Sequence, residues 1–189
     1  TTTTTRTTTD PSAPHARRPG HLVALSLGAN RGDAEASLAA AIERLRRVFG
    51  PLRVSPLYRT APVPPSSQPP FLNAAVLGRT SLGPDAVLAL AKALELAAGR
   101  RRSERFGPRT LDVDLTLYGD RVSTAPELTL PHPRLAERRF MLEPLAAVAP
   151  DLRVPPEGVT IAELLRRLGP GPGVELVGWS EEALDSPHD

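Results

Sequence analysis

The stretch TLDVDLTLY, Thr110 to Tyr118, constrains the fold more than any other part of the chain. In an extended backbone successive side chains point to opposite sides. Leu111, Val113, Leu115 and Leu117 then share one face, and Asp112, Asp114, Thr116 and Tyr118 share the other. The segment reads as a strand with its leucine face on a core. Aspartate is a poor strand former, so a pair of them at i and i+2 asks for a reason beyond solvation. The residues just upstream supply one: Arg100, Arg101, Arg102, Arg105 and Arg109 crowd a loop bounded by Gly99. Guanidinium forks take phosphate oxygens, and carboxylates roughly 7 Å apart along a strand suit Mg²⁺. A solvated strand face beside an exposed basic loop is the plainer reading, but the two features in one segment favour a polyphosphate and its metal.

The rest of the chain supplies elements to pack against that strand. LVALSLG after His21 reads as a strand, with Gly28, Asn30 and Gly32 at the turn that follows. Asp33 caps a helix to about Phe49, where Leu38, Ile42, Leu45 and Phe49 recur at helical spacing and Gly50–Pro51 ends it. LRVSPLYRT is a strand broken at Pro56, placed at a bulge or sheet edge. APVPPSSQPP, residues 61–70, can only be a loop, and Phe71 to Arg79 resumes extended structure. Pro84 opens a helix to about Ala98 with Leu88, Ala91, Leu94 and Leu96 as its apolar residues and Gly99 at the cap. After the Gly119–Asp120 turn, LTLPHPRLAERRF starts extended and turns helical near Arg134. Ile161 to Leu168 is an amphipathic helix, and Val174 to Trp179 a closing strand. Strands and helices interleaved by short turns predict an α+β fold, a mainly antiparallel sheet with helices packed on it.

Charge and composition narrow the function classes. The net charge is only +2, so binding to nucleic acid driven by bulk charge is not the expectation. An RNA-reading sheet also needs aromatic platforms, and aromatics make up 4% of this chain. There is no cysteine, hence no disulfide framework or thiolate site. No apolar run approaches the ~20 residues of a membrane span. These features lead to the expectation of a soluble cytoplasmic protein with no nucleic-acid or membrane partner, and we expect it to act as a monomer. Residues 1–20, rich in threonine and proline, read as a disordered tail, residues 21–179 as one domain, and residues 180–189 as a short acidic tail.

Two common phosphate devices are missing. No GxxxxGK[ST] is present, and Lys92, the lone lysine, has no flanking glycines that would make it a P-loop lysine. His132, between two prolines, is by itself most simply a hydrogen-bonded turn residue. With Arg138 it could form a second phosphate clamp. Asn73 carries an amide able to pair with a heterocycle, though its spacing alone makes it an ordinary strand-end residue.

Taken in order, LSLGAN at 25–30, SPLYRTAPV at 55–63, QPPFLNAAV at 68–76, RFGPRTLDVDLTLYGD at 105–120 and LPHPRLAERRFMLEPL at 130–145 resemble the 6-hydroxymethyl-7,8-dihydropterin pyrophosphokinases of folate biosynthesis. The likeness covers about residues 22–152. It implies a ferredoxin-like α+β sandwich and transfer of the β,γ-diphosphate of ATP to the pterin hydroxymethyl oxygen, with two Mg²⁺ and release of AMP. Asp112 and Asp114 would then ligate both ions, with Asp114 also orienting or deprotonating the hydroxyl. Arg100 and Arg109 would contact phosphate, and Arg102 and Arg105 would close from the loop. His132, Arg138 and Glu95 would complete the ATP side. On the pterin side the resemblance places Thr60, Ala61, Val63 and Asn73, with Phe71 and Phe140 stacking on the ring. Phe106 stands where this family commonly has tryptophan, and Ala61 where it often has proline.

Two other readings stay open at this point. One is a non-catalytic ferredoxin-like module that binds nucleic acid or nucleotide through Arg100 to Arg109. The other is a different phosphotransferase on the same scaffold.

Overall fold

The computed structural model describes residues 20–62, 67–99, 109–171 and 173–180. The long strand β1 (His21–Ala29) leads to helix α1 (Ala34–Phe49). The Asp33 carboxylate accepts from the Ala36 N–H at 2.9 Å, and Gly50 ends the helix with φ +81°, where a side chain would be strained. Pro56 divides the next extended stretch into β2 (Arg53–Val54) and β3 (Tyr58–Thr60). Strand β4 (Phe71–Thr80) and helix α2 (Pro84–Ala97) follow, then β5 (Asp112–Tyr118). A hairpin of β6 (Ser123–Ala125) and β7 (Leu128–Leu130) precedes a 3₁₀ turn, Leu135–Glu137, and helix α3 (Arg139–Val148). A small hairpin, β8 (Arg153–Val154) with β9 (Val159–Thr160), leads into α4 (Ile161–Leu168), and β10 (Val174–Leu176) comes last.

The main sheet has 6 strands in the order β10-β3-β4-β1-β5, with β2 also paired to β4, and its pairings are antiparallel. One face packs on α1 and α2. Leu25, Leu27, Ala74, Val76, Val113 and Leu115 meet Leu38, Ile42, Leu45, Val87 and Leu94 there. Each such leucine or isoleucine contributes about 1.5–3 kcal/mol by leaving water. On the other face Ala24, Ala75, Leu77 and Leu117 are covered by Met141, Leu142, Leu145 and Ile161 from α3 and α4. Strand β4 comes so close under the end of α1 that a Cβ on Gly78 would lie 2.6 Å from Leu52 Cδ2. The expected α+β ferredoxin-like architecture is present, with helices on both faces of the sheet.

Three details depart from the sequence reading. Leu117 does not share a core with Leu111, Val113 and Leu115; it packs with α3, while Tyr118 joins the α1/α2 side. The cause is a bulge: Leu25 pairs with Leu115 but Ala24 with Leu117, so Thr116 is the extra residue and the alternation changes phase. Leu96 is 69% exposed, because the buried stripe of α2 runs through Val87, Ala91, Leu94 and Glu95 and the next residue turns away from it. The closing strand is shorter than expected. Ladder pairing covers Val174–Leu176, after which the Val177 and Gly178 N–H groups both donate to the Leu57 carbonyl at 2.9 and 3.2 Å.

Candidate active site

Asp112 and Asp114 start β5, ahead of the bulge, so strict alternation holds for them and both point away from the α1/α2 core that receives Val113 and Leu115. Asp112 lies opposite Gly28 and Asp114 opposite Ser26 on β1. Strand β5 ends the sheet on this side among the described residues, and a cleft of ≈ 350 Å³ wraps its outer edge. Both aspartates line that cleft. Glu95 and Lys92 of α2 form one wall, and Thr129 and His132, on and after the β6–β7 hairpin, form another. The bulge helps build this second wall: the Thr116 carbonyl accepts the His132 N–H at 2.9 Å and fixes the histidine segment beside β5.

Positive groups surround the carboxylates. Arg109 Nη1 donates to Asp112 Oδ2. The Arg109 backbone is clamped from both sides by Asn30: its N–H donates to Asn30 Oδ1 at 2.8 Å, and its carbonyl accepts the Asn30 N–H at 3.0 Å. The same Asn30 amide donates to Gln68 Oε1 at 3.2 Å and to the Pro69 carbonyl at 3.1 Å, which ties the proline loop to the head of β5. Burial and Arg134 lower the Arg138 guanidinium from its ordinary range, while Asp114 and Asp112 pull it back up, so it feels both acids. Its carbon lies 5.5 Å from the centre of the Phe140 ring. His132 is pushed down to about 4, first by burial and then by Arg138 and Arg134, with Asp112 opposing. Its Nδ1 accepts the Arg134 N–H at 3.2 Å. The imidazole is therefore neutral at pH 7 and carries its proton on Nε2.

Glu95 is buried, and its Oε1 accepts the Val113 N–H at 2.9 Å, so this cleft residue also locks β5 onto α2.

The second half of the site lies on the same sheet face. Directly paired residues in an antiparallel sheet point the same way. The pairs Asp112–Gly28, Gly28–Asn73 and Asn73–Tyr58 therefore form one row across β5, β1, β4 and β3. Two strand spacings put Asn73 about 10 Å from Asp112. Asn73 Nδ2 donates to Thr60 Oγ1 at 2.9 Å, with both residues buried. Phe71 pairs with Thr60, and Phe71 and Phe140 are half-buried. Gly28 keeps the row open: a Cβ there would stand 3.1 Å from Asn73 Oδ1.

Chemically the cleft offers two carboxylates among guanidinium groups, a donor set suited to a metal-bound polyphosphate, and the same sheet face offers the Thr60–Asn73 polar pair beside half-buried Phe71. Among the described residues no group of three or more His, Cys, Asp or Glu forms a cage. Two hard carboxylates in one cleft still fit Mg²⁺, which is held by one or two carboxylates while phosphates and water complete its shell.

A family model described as 7,8-dihydro-6-hydroxymethylpterin-pyrophosphokinase matches residues 24–150, which include both halves of this site. The chain belongs to that family. Relatives named 2-amino-4-hydroxy-6-hydroxymethyldihydropteridine pyrophosphokinase include the one from Pseudomonas aeruginosa, 40% identical over 76% of this chain and 89% of its own length. The one from Methylorubrum extorquens is 43% identical over 81% and 96% of the two chains. Among solved structures, Plasmodium falciparum HPPK-DHPS with pteroate superposes with a TM-score of 0.62 at 15% identity, a likeness of fold alone. The match covers 80% of this chain and 44% of that longer one.

In this pyrophosphokinase the structure brings together Asp112, Asp114, Arg109, His132 and Glu95 at the cleft, with Arg138 in electrostatic reach. Thr60, Asn73 and Phe71 are assembled by the β3–β4 ladder. Ala61 is exposed just beyond β3. Arg100, Arg102, Arg105, Phe106 and Val63 lie outside the described residues. Sequence reasoning missed Asn30, Gly28, Lys92 and Thr129 as parts of the site. The LSLGAN motif held a signal for the first two. Nothing local marked Thr129, whose hairpin consists of strands of three residues each.

Proposed function

We infer that the cleft along β5 and the Thr60–Asn73 pair are the two halves of one active site, in which the β,γ-diphosphate of ATP passes to 6-hydroxymethyl-7,8-dihydropterin. The observation that carries this is the common row: Asp112 and Asn73 project from one sheet face, on strands flanking β1, with a glycine between them. That separation suits a nucleotide tail at one end and a small bicyclic ring at the other.

The hydroxymethyl oxygen attacks the β-phosphorus, and the bond from the β-phosphorus to the α,β-bridging oxygen breaks, its electron pair leaving with AMP. Asp114 orients the hydroxyl and takes its proton. Asp112 and Asp114 would hold two Mg²⁺, whose chemistry when bound would be to neutralise phosphate charge. Arg109 and Arg138 bear on the phosphate oxygens. Neutral His132 donates its Nε2–H without adding a further charge to the Arg134–Arg138 group. Arg100, Arg102 and Arg105 complete the phosphate contacts, and Glu95 fixes β5 beneath the nucleotide. Thr60 and Asn73 read the pterin edge, Phe71 and Phe140 stack on its ring, and Ala61 and Val63 belong with the pterin-binding set. We assign the catalytic unit to residues 21–179, acting as a cytoplasmic monomer.

The test is to incubate the purified protein with ATP, Mg²⁺ and 6-hydroxymethyl-7,8-dihydropterin and to separate the products. AMP and a pterin diphosphate ester are expected, with no turnover after chelation by EDTA. ADP in place of AMP overturns diphosphoryl transfer.

A further inference from the structure

We propose that Trp179 is a positioning residue for the pterin half of the site, acting through β3 without touching substrate. This inference rests on the assignment of Thr60 to that half.

Strand β3 has only 3 residues, follows the break at Pro56 and leads into the proline loop. A ladder this short has little hold of its own. One side pairs with β4, and the other pairs with the C-terminal segment: Val174 with Thr60, Glu175 with Arg59 and Leu176 with Tyr58. Beyond β10 the chain bends under β3, where the Val177 and Gly178 N–H groups share the Leu57 carbonyl. Trp179 then pins the strap. Its indole N–H donates to the Ser55 carbonyl at 2.8 Å, and its ring and Val177 pack on the α1/α2 core. Ser55 is itself bound to β4, since its backbone N–H donates to the Ala75 carbonyl at 2.9 Å and its Oγ accepts the Ala75 N–H at 2.8 Å. The strap is thus anchored at Ser55, two residues before Leu57, and clasps β3 from the side opposite β4. The Thr60 hydroxyl is set against Asn73 from both sides of its strand.

Released from this clasp, β3 shifts against β4 and the Thr60–Asn73 pair loses its geometry, while Asp112 and Asp114, on the far side of β1, keep theirs. The effect is therefore selective for one substrate. In steady-state assays Trp179→Ala is expected to raise the pterin KM by about tenfold, the equivalent of one buried hydrogen bond, and to leave the ATP KM within about twofold. Trp179→Phe keeps the apolar wedge but drops the N–H, and an increase of about threefold is expected, still confined to the pterin. Arg59→Ala removes only an exposed ion pair to Glu175 and should move neither constant.

A fall in melting temperature with both KM values unchanged, or an equal rise in both, overturns the proposal. Should Trp179→Ala fail to fold, Trp179→Phe decides. Wild-type protein that makes no AMP refutes the reading of the site instead. The clasp is then judged by backbone amide NMR: Trp179→Phe must shift Thr60 and Asn73 and spare Asp112 and Asp114, and unshifted Thr60 and Asn73 sink it.

Discussion

The two ends of the polar row are built on opposite principles. At the β5 end, ionised groups line an open cleft, and side chains of Arg109 and Asp112 are 30% and 22% exposed. At the β3–β4 end two neutral side chains are buried and satisfy each other. A charged end can lose one member without collapsing, because solvent and neighbouring ions compensate. A buried neutral pair cannot, since removing one partner leaves the other unsatisfied. Substitutions at the first end should therefore act on turnover, and at the second on stability and substrate affinity together.

The sharpest break of that contrast is Asp114→Asn. We expect AMP formation to fall by about 10³-fold or more, roughly 4 kcal/mol of transition-state stabilisation, with an unchanged melting temperature. Near-normal turnover would remove the metal and proton roles from β5. Next in size is Asn73→Ala, which strands the Thr60 hydroxyl in the interior. Denaturant unfolding should show a loss of about 2 kcal/mol, and the pterin KM should rise as well. If Asn73→Ala is as stable as wild type, the two ends do not differ in the way described.

A smaller effect comes from His132, which borders the charged end yet is kept neutral. Its folded value of about 4 lies below the ordinary 6.5. Folding therefore excludes a proton that the unfolded chain binds, and this stability is complete above about pH 6.5 and is lost as the pH falls toward 4. Discounted for partial exposure, the loss is about 1–2 kcal/mol, and His132→Gln should flatten it in chemical denaturation run across that range. The smallest expected effect is at Gly28, between the ends. Gly28→Ala places a methyl against Asn73 Oδ1, and because that amide can shift by a few tenths of an ångström we expect about 1 kcal/mol in thermal unfolding and a modest rise in pterin KM.

The charged end was also the more legible one. Asp112 and Asp114 alternate on a strand that the sequence marks clearly, and the arginines beside Gly99 and Gly107 advertise phosphate. Helix α1 was readable for similar reasons: Asp33, a 3.6-residue apolar repeat and Gly50 all agree. The rest depended on partners far along the chain. Asn30 looks like a turn residue until Gln68 and Arg109 are placed beside it. Glu95 sits at helical spacing with Val87, Ala91 and Leu94, but nothing local says that a backbone N–H of β5 will satisfy its carboxylate in the interior. The phase change at Thr116 is set by how β1 pairs, and the apolar residues of β5 carry no trace of it. Short hairpins such as β6–β7 have too few residues to show any period.

That phase change gives β5 a double allegiance. Val113, Leu115 and Tyr118 are buried with α1 and α2, and Leu117 with α3 and α4. Neither helical layer can detach without dragging the shared strand out of the other, so the molecule should melt in one concerted step. Helix loss followed by circular dichroism and emission from Trp179, the lone indole, should then trace superimposable curves.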